Sequence, residues 1–211
     1  MMRCEALAVI GSLGHPSKMP GLSYGIPAQA CKLGALLARQ PGTVCSGCYA
    51  LKGNYRYNSV RIAQERRLAG LRDPRWVDAM VQEIAREQAR GEVPYFRWHD
   101  AGDLQGAWHL DLLARVALAL PAVRFWLPTR EYGMVGEWLR AHPEGLPVNL
   151  VVRLSAHKLD VAPPEMHGLP GSGVTTARER VTCPAPQQGN ACQDCRACWD
   201  PSVRVVWYKK H

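Results

Sequence analysis

Val93-Pro94-Tyr95-Phe96-Arg97-Trp98, Val123-Arg124-Phe125-Trp126-Leu127 and Val148-Asn149-Leu150-Val151-Val152-Arg153-Leu154 decide the fold. Each is a short run rich in strand formers, and each is nearly continuously apolar, as strands buried on both faces are. Helical patterns separate them. From Asp103, a candidate N-cap, to about Leu120, the residues Leu104, Trp108, Leu112, Leu113 and Val116 fall inward, and Pro121 stops the run. A shorter helix follows at Val135–Ala141, closed by Gly145 and Pro147. Strands alternating with helices at roughly 25–30-residue spacing predict parallel pairing through right-handed crossovers. The expected fold is α/β, a partial or irregular β/α barrel with Cys-rich N- and C-terminal segments; a doubly wound sheet is the second choice. The prolines between Ala156 and Pro170 leave no room for an ordinary helix, which argues against a complete eightfold barrel.

Upstream, Asn58–Leu71 reads as a helix. A second begins at Asp73 and Pro74, turns Trp76, Val77, Met80, Val81 and Ile84 inward, and ends at Gly91. Leu22–Cys48 reads as loop and short elements. Gly173–Thr176 and Val203–Tyr208 read as brief strands. One domain is expected over 1–211: a Cys-containing segment 1–55, a β/α core 56–180 and a Cys-rich segment 181–211. The 47% hydrophobic content suffices for one sizeable core, and 21% charge argues against wholesale disorder. No apolar run approaches the ~18 residues of a membrane span. Met1–Gly14 carries Glu5 and no convincing cleavage site, so it reads as mature protein in a reducing, cytoplasmic compartment.

Of eight cysteines, seven sit in two clusters: Cys31, Cys45 and Cys48, then Cys183, Cys192, Cys195 and Cys198. Two-residue spacing lets thiolates from one turn reach one centre. The C-terminal set suits zinc or an iron–sulfur cluster. Three thiolates from the N-terminal set would leave one iron of a 4Fe–4S cluster open, unless a ligand from elsewhere closes it. One cluster shared between the ends, two separate clusters, zinc at the C-terminal set, and disulfides all stay open at this level.

Each strand candidate ends in polar residues: His99, Asp100 and Asp103 after the first, Arg130 and Glu131 after the second, Arg153 and Ser155 at the third. Parallel β/α folds build their sites at these carboxyl ends, so His99, Asp100, Asp103, Arg130, Glu131 and Arg153 are the candidate catalytic residues. Each also has a plain structural reading: Asp103 as a helix cap, Arg130–Glu131 as an ion pair, His99 as a strand-end histidine. Net charge is +8. Lys52, Arg56, Arg61, Arg66, Arg67, Arg72 and Arg75 concentrate part of it in 52–75, a candidate footprint for nucleic acid or simply a solvated helix face.

The segments Lys18-Met19-Pro20-Gly21-Leu22-Ser23-Tyr24, Val44–Gly53, Phe96–Asp100 with Gly102-Asp103-Leu104, Phe125–Tyr132, Asn149–Ser155 and Cys192–Asp200 resemble the bacteriophage "gene product 88" family. That resemblance spans nearly the whole chain and implies a phage protein of the host cytoplasm. More loosely, Cys45-x2-Cys48-Tyr49 resembles the second half of the Cys-x3-Cys-x2-Cys motif of radical S-adenosylmethionine enzymes. This likeness implies a partial β/α barrel with a three-cysteine 4Fe–4S cluster. Cys31, however, is separated from Cys45 by thirteen intervening residues instead of three, and no clear glycine-rich methionine-binding segment is evident, so S-adenosylmethionine does not follow. The leading expectation is a phage-encoded 4Fe–4S protein, with one or two clusters, working in redox or radical chemistry on a small molecule or with an electron-transfer partner. The alternative is a zinc-stapled nucleic-acid-binding protein without catalytic activity, using 52–75, Lys209 and Lys210.

Overall fold

The computed structural model describes residues 1–210. Its chain order is α1 (Arg3–Ile10), β1 (Leu22–Tyr24), α2 (Lys32–Leu37), α3 (Asn58–Gly70), α4 (Trp76–Ala89), β2 (Tyr95–Trp98), α5 (Ala107–Ala119), β3 (Arg124–Thr129), α6 (Tyr132–Ala141), β4 (Leu150–Ser155), β5 (Gly171–Thr175) and β6 (Val205–Lys209). The six strands form one sheet in the order 1-2-3-4-5-6, and every neighbouring pair is parallel. The sheet is open: among the described residues β6 does not pair back to β1. The order never reverses, so the switch point of a doubly wound sheet is missing. No helix is long and apolar enough to cross a membrane.

Strand alternation divides the sheet's two faces. Phe96, Trp98, Phe125, Leu127, Leu150, Val152 and Leu154 pack into one core with α1, α4, α5 and α6. The opposite face carries Arg97, Trp126 and Arg153, and the C-terminal segment covers it. Trp199 there is buried, lies 5.2 Å from the Trp126 ring and 5.4 Å from Tyr95, and donates its indole N–H to the Phe96 carbonyl at 3.0 Å. Both faces are therefore dry, which is why the strands read as continuous apolar runs.

Helix starts differ from the sequence reading. α5 begins at Ala107 after Gly106, with no side-chain cap, so Asp103 is free for another task. α4 begins at Trp76, where Asp73 instead accepts the Arg75 amide and holds its guanidinium through a local turn. Gly91 does close α4, with φ +95°. α1 escaped the sequence reading, while β1 and α2 fall in the stretch read as loop and short elements. α1 is short, yet Ala6, Val9 and Ile10 are buried and Arg3 bonds Glu83 at 3.0 Å. β1 has only three residues. Just before it Gly21 sits at φ +70°, where a Cβ would lie 1.9 Å from the Tyr95 carbonyl oxygen.

Candidate metal centre and strand-end mouth

Asp103 organises the mouth. Its Oδ1 accepts from Thr129 Oγ1 at 2.5 Å and from the Leu104 amide at 2.8 Å, while Oδ2 accepts the Arg130 amide at 2.9 Å. One buried carboxylate thus ties the loop after β2 to the end of β3. Glu131 does the next job. Its Oε1 accepts the Leu33 amide at 2.9 Å, so the start of α2, and with it Cys31, is anchored to the end of β3. Burial raises the Glu131 carboxyl above its ordinary value. Arg130 and Glu131 form no ion pair among the described residues, and the Arg130 Nε is buried without a hydrogen-bond partner there.

The cysteine loop reaches this mouth from the other side. The Val44 amide donates to the His157 carbonyl at 2.9 Å and the Leu159 amide to that of Gly42 at 2.9 Å, pinning the loop beside the end of β4. Thr43 and Ser46 fold the turn on itself. Cys31 and Cys45 then face each other across Gly34: a Cβ placed there would stand 3.6 Å from the Cys31 Sγ and 3.8 Å from the Cys45 Sγ. Burial first, then Asp103, Cys48 and Cys45, push the Cys31 thiol up to about 12, and Arg130 opposes them. Burial also raises Cys45, again against Arg130. Cys31, Cys45, Cys48, Asp103 and Arg130 therefore share one neighbourhood, at the carboxyl ends of β2 and β3.

The other candidates lie around it. His99 is buried at φ +52°, a conformation a non-glycine residue holds only under constraint. Its Nδ1 has no partner and stands 4.0 Å from Asp103 Oδ1, and its ring meets that of buried His109 at 5.2 Å. Desolvation pushes His99 down to about 4 against the pull of Asp103 and Asp100, so the ring is neutral. Asp100 accepts from Tyr49 through its carbonyl at 2.5 Å and from Tyr55 through Oδ2 at 3.4 Å, while its Oδ1 is buried without a partner. Arg153 is not at the mouth. It projects from the opposite face of the sheet, fully buried, and donates to the carbonyls of Cys198, Gly171, Val203, Ala197 and Asp200. Its guanidinium folds the C-terminal cysteine segment. Ser155 shares a 3.0 Å bond with Ser172.

Cys183, Cys192, Cys195 and Cys198 line one small cavity of about 20 Å³, with Trp199 and Val206. The Cys195 amide closes a turn on the Cys192 carbonyl at 2.9 Å, and the Cys183 amide is held by the Trp207 carbonyl at 3.1 Å. Cys198 Sγ lies 3.1 Å from Tyr208 Oη. All eight cysteines are free thiols, and Cys4 stands alone and exposed. Among the described residues no three His, Cys, Asp or Glu side chains stand close enough to grip a single ion. The donor chemistry nonetheless fits a thiophilic centre, since clustered thiolates select zinc or iron–sulfur.

A family model described as Gene product 88 matches residues 5–201. The chain belongs to the gene product 88 family, a family of phage gene products. No curated protein matches it, and no solved structure does. Within this family member, the sequence missed Tyr132 and His157, whose rings stack 4.3 Å apart; Tyr132 donates to the Ser155 carbonyl at 2.5 Å and His157 bonds the Arg130 carbonyl at 3.1 Å. It also missed Arg97, whose Nη2 donates to Tyr49 Oη at 3.2 Å. Tyr49, Arg97 and Tyr132 carried a signal only as members of the segments that resemble the family, and His157 carried none.

Of the basic stretch, Arg67 is buried on Tyr24 and on the Ser12 and Gly25 carbonyls, and Arg72 stacks 3.9 Å from Trp108. Arg75 pairs with Asp73, and Arg61 approaches Glu65. Lys52, Arg56 and Arg66 remain exposed.

Proposed function

We propose that this protein holds an iron–sulfur cluster at Cys31, Cys45 and Cys48 and performs redox or radical chemistry at the mouth formed by the ends of β2 and β3. The observation that carries the reading is the delivery of Cys31 and Cys45 beside Asp103 and Arg130. Residues far apart in sequence meet where parallel β/α folds do their chemistry. Strands in sequential order, unreversed, support a partial β/α barrel of the radical-enzyme kind.

A cluster bound there would supply one-electron transfer and, with three protein thiolates, one iron open to a small ligand. The protein's own residues set the conditions. Arg130 brings positive charge against the thiolates. Asp103 and Glu131 hold the two sides together. His99, Asp100 and Tyr132 complete the wall, and the sheet's dry core excludes water from behind.

Anaerobic purification of wild-type protein and of a Cys45→Ser/Cys48→Ser variant, with iron and acid-labile sulfide counted, tests the reading. The expected result is a brown wild type and a variant that loses iron and sulfide. A variant keeping its full iron and sulfide content would falsify it. A second reading, a zinc-stapled nucleic-acid binder, draws on exposed Tyr57 beside Lys52 and Arg56. It predicts a colourless protein whose affinity for single strands falls steeply with salt.

A further inference from the structure

The arrangement of the thiols divides the seven clustered cysteines. The neighbours of Cys31 are Cys45, Cys48, Asp103 and Arg130, all at the mouth. Cys183, Cys192, Cys195 and Cys198 line a single cavity on the sheet's other face, and Cys192 feels Cys183 and Cys195 together with the positive charges of Arg196 and Arg97. Between the sets lies Arg97. It reaches Tyr49, the residue after Cys48, on one side, faces Tyr208 and Cys198 on the other, and stacks 4.7 Å over Trp126. A guanidinium stacked on an indole thus stands beside both sets.

We propose that Cys183, Cys192, Cys195 and Cys198 form a second, closed centre for a thiophilic metal, independent of the one at Cys31, Cys45 and Cys48. It rests on the reading that thiolates of this chain hold metal. Four sulfurs with no nitrogen or oxygen donor are the ligand set of zinc or of an iron–sulfur cluster. Four protein ligands leave no position for a substrate, the mark of a structural or electron-carrying centre, whereas three leave one open.

The surroundings agree with closure. Trp199 and Val206 are buried and cap the cavity with apolar surface. The carbonyls of Ala197, Cys198 and Asp200 are all turned onto Arg153, which ties the loop bearing Cys198 to β4. The Cys192 amide is held by the Lys18 carbonyl at 2.8 Å, fastening the segment to the entry of β1. That bond joins the segment bearing the second set of thiols to the stretch before β1.

The experiment counts iron, sulfide and zinc per chain in anaerobically purified wild-type protein, in Cys45→Ser/Cys48→Ser and in Cys195→Ser/Cys198→Ser. The expected result is that each double variant loses one share and retains the other. Iron and sulfide in the share lost from Cys195→Ser/Cys198→Ser would identify a cluster, and zinc a single ion. Loss of everything in both variants would mean one shared centre and overturn the proposal, as would unchanged metal in Cys195→Ser/Cys198→Ser. Unchanged metal in Cys45→Ser/Cys48→Ser, with loss only in the other variant, sinks the proposed function and leaves the second centre standing. Because a variant can fail to fold, the wild-type holoprotein is also stripped stepwise by a chelator, with alkylation mapped by mass spectrometry. Release of the two sets at different chelator concentrations supports the division; release of all seven in one step refutes it.

Discussion

Arg153→Met tests the assignment of this arginine to architecture. The side chain is fully buried and makes five hydrogen bonds: Nε to Cys198 at 2.9 Å, Nη1 to Gly171 at 3.1 Å and Val203 at 2.8 Å, Nη2 to Ala197 and Asp200 at 2.6 Å each. Bonds from a charged donor contribute about 1.5–3 kcal/mol apiece, but summing them overshoots, because burying the guanidinium itself costs several kcal/mol. Methionine removes that cost and approximates the stem's volume. What remains is the loss from carbonyls left without a donor, those nearest the surface recovering water. The expected destabilisation is about 3–5 kcal/mol, in the range seen when one partner of a buried charged interaction is removed. Arg153→Lys, with charge retained but without the fork that serves five acceptors, should lose about 2 kcal/mol or more. Urea unfolding at neutral pH reads the energy. Alkylation of Cys195 and Cys198 reads the loop, and should accelerate in both variants while labelling of Cys45 stays unchanged. A loss below about 1 kcal/mol with unchanged Cys198 labelling would refute the argument and return Arg153 to the candidates for chemistry.

His99 makes stability pH-dependent. Its native value near 4 lies below the ordinary 6.5, so the unfolded chain binds more protons and stability falls as pH drops from about 6.5 to about 4, by about 3 kcal/mol at 1.36 kcal/mol per pH unit. His99→Asn, which tolerates the left-handed backbone, should flatten that fall; an identical acid dependence in the variant rejects this cause. Trp199→Ala should cost about 3–5 kcal/mol in thermal or urea unfolding, against about 1 kcal/mol for Trp199→Phe, which loses mainly the bond to the Phe96 carbonyl. Equal losses would mean that Trp199 does not fill the space between Tyr95 and Trp126. Gly21→Ala, forced against the Tyr95 carbonyl at a positive φ, should destabilise by more than about 1 kcal/mol, and a neutral result contradicts the close approach of β1 to β2.

Local sequence settled the middle of the fold. The strands at Tyr95, Arg124 and Leu150 are legible because both their faces are buried and their runs are apolar throughout, and the helices between them because their apolar periodicity is strong. Boundaries moved by a few residues wherever a polar side chain had two possible partners. Asp103 reads as a cap in sequence, but Thr129 and the Arg130 amide, both more than twenty residues away, claim it. α1 and β1 are too short to carry a period, and tertiary packing alone makes them.

The site divides the same way. Spacing marked Cys45 and Cys48, and Cys192, Cys195 and Cys198, as candidate ligand turns, since two-residue spacing is a property of one tight loop. The polar strand ends followed from the rule that parallel strands present their carboxyl ends to a common mouth. Which of them meet was decided only by the tertiary structure. Strand alternation sends Arg153 to the far face while Arg130 lies at the mouth, and a single glutamate bond to Leu33 brings Cys31 there from an irregular segment. Spacing along a chain fixes which thiols one turn can offer, whereas bringing Cys31 beside Cys45 and Cys183 into the cavity of Cys192, Cys195 and Cys198 takes contacts between distant segments, which no local pattern encodes.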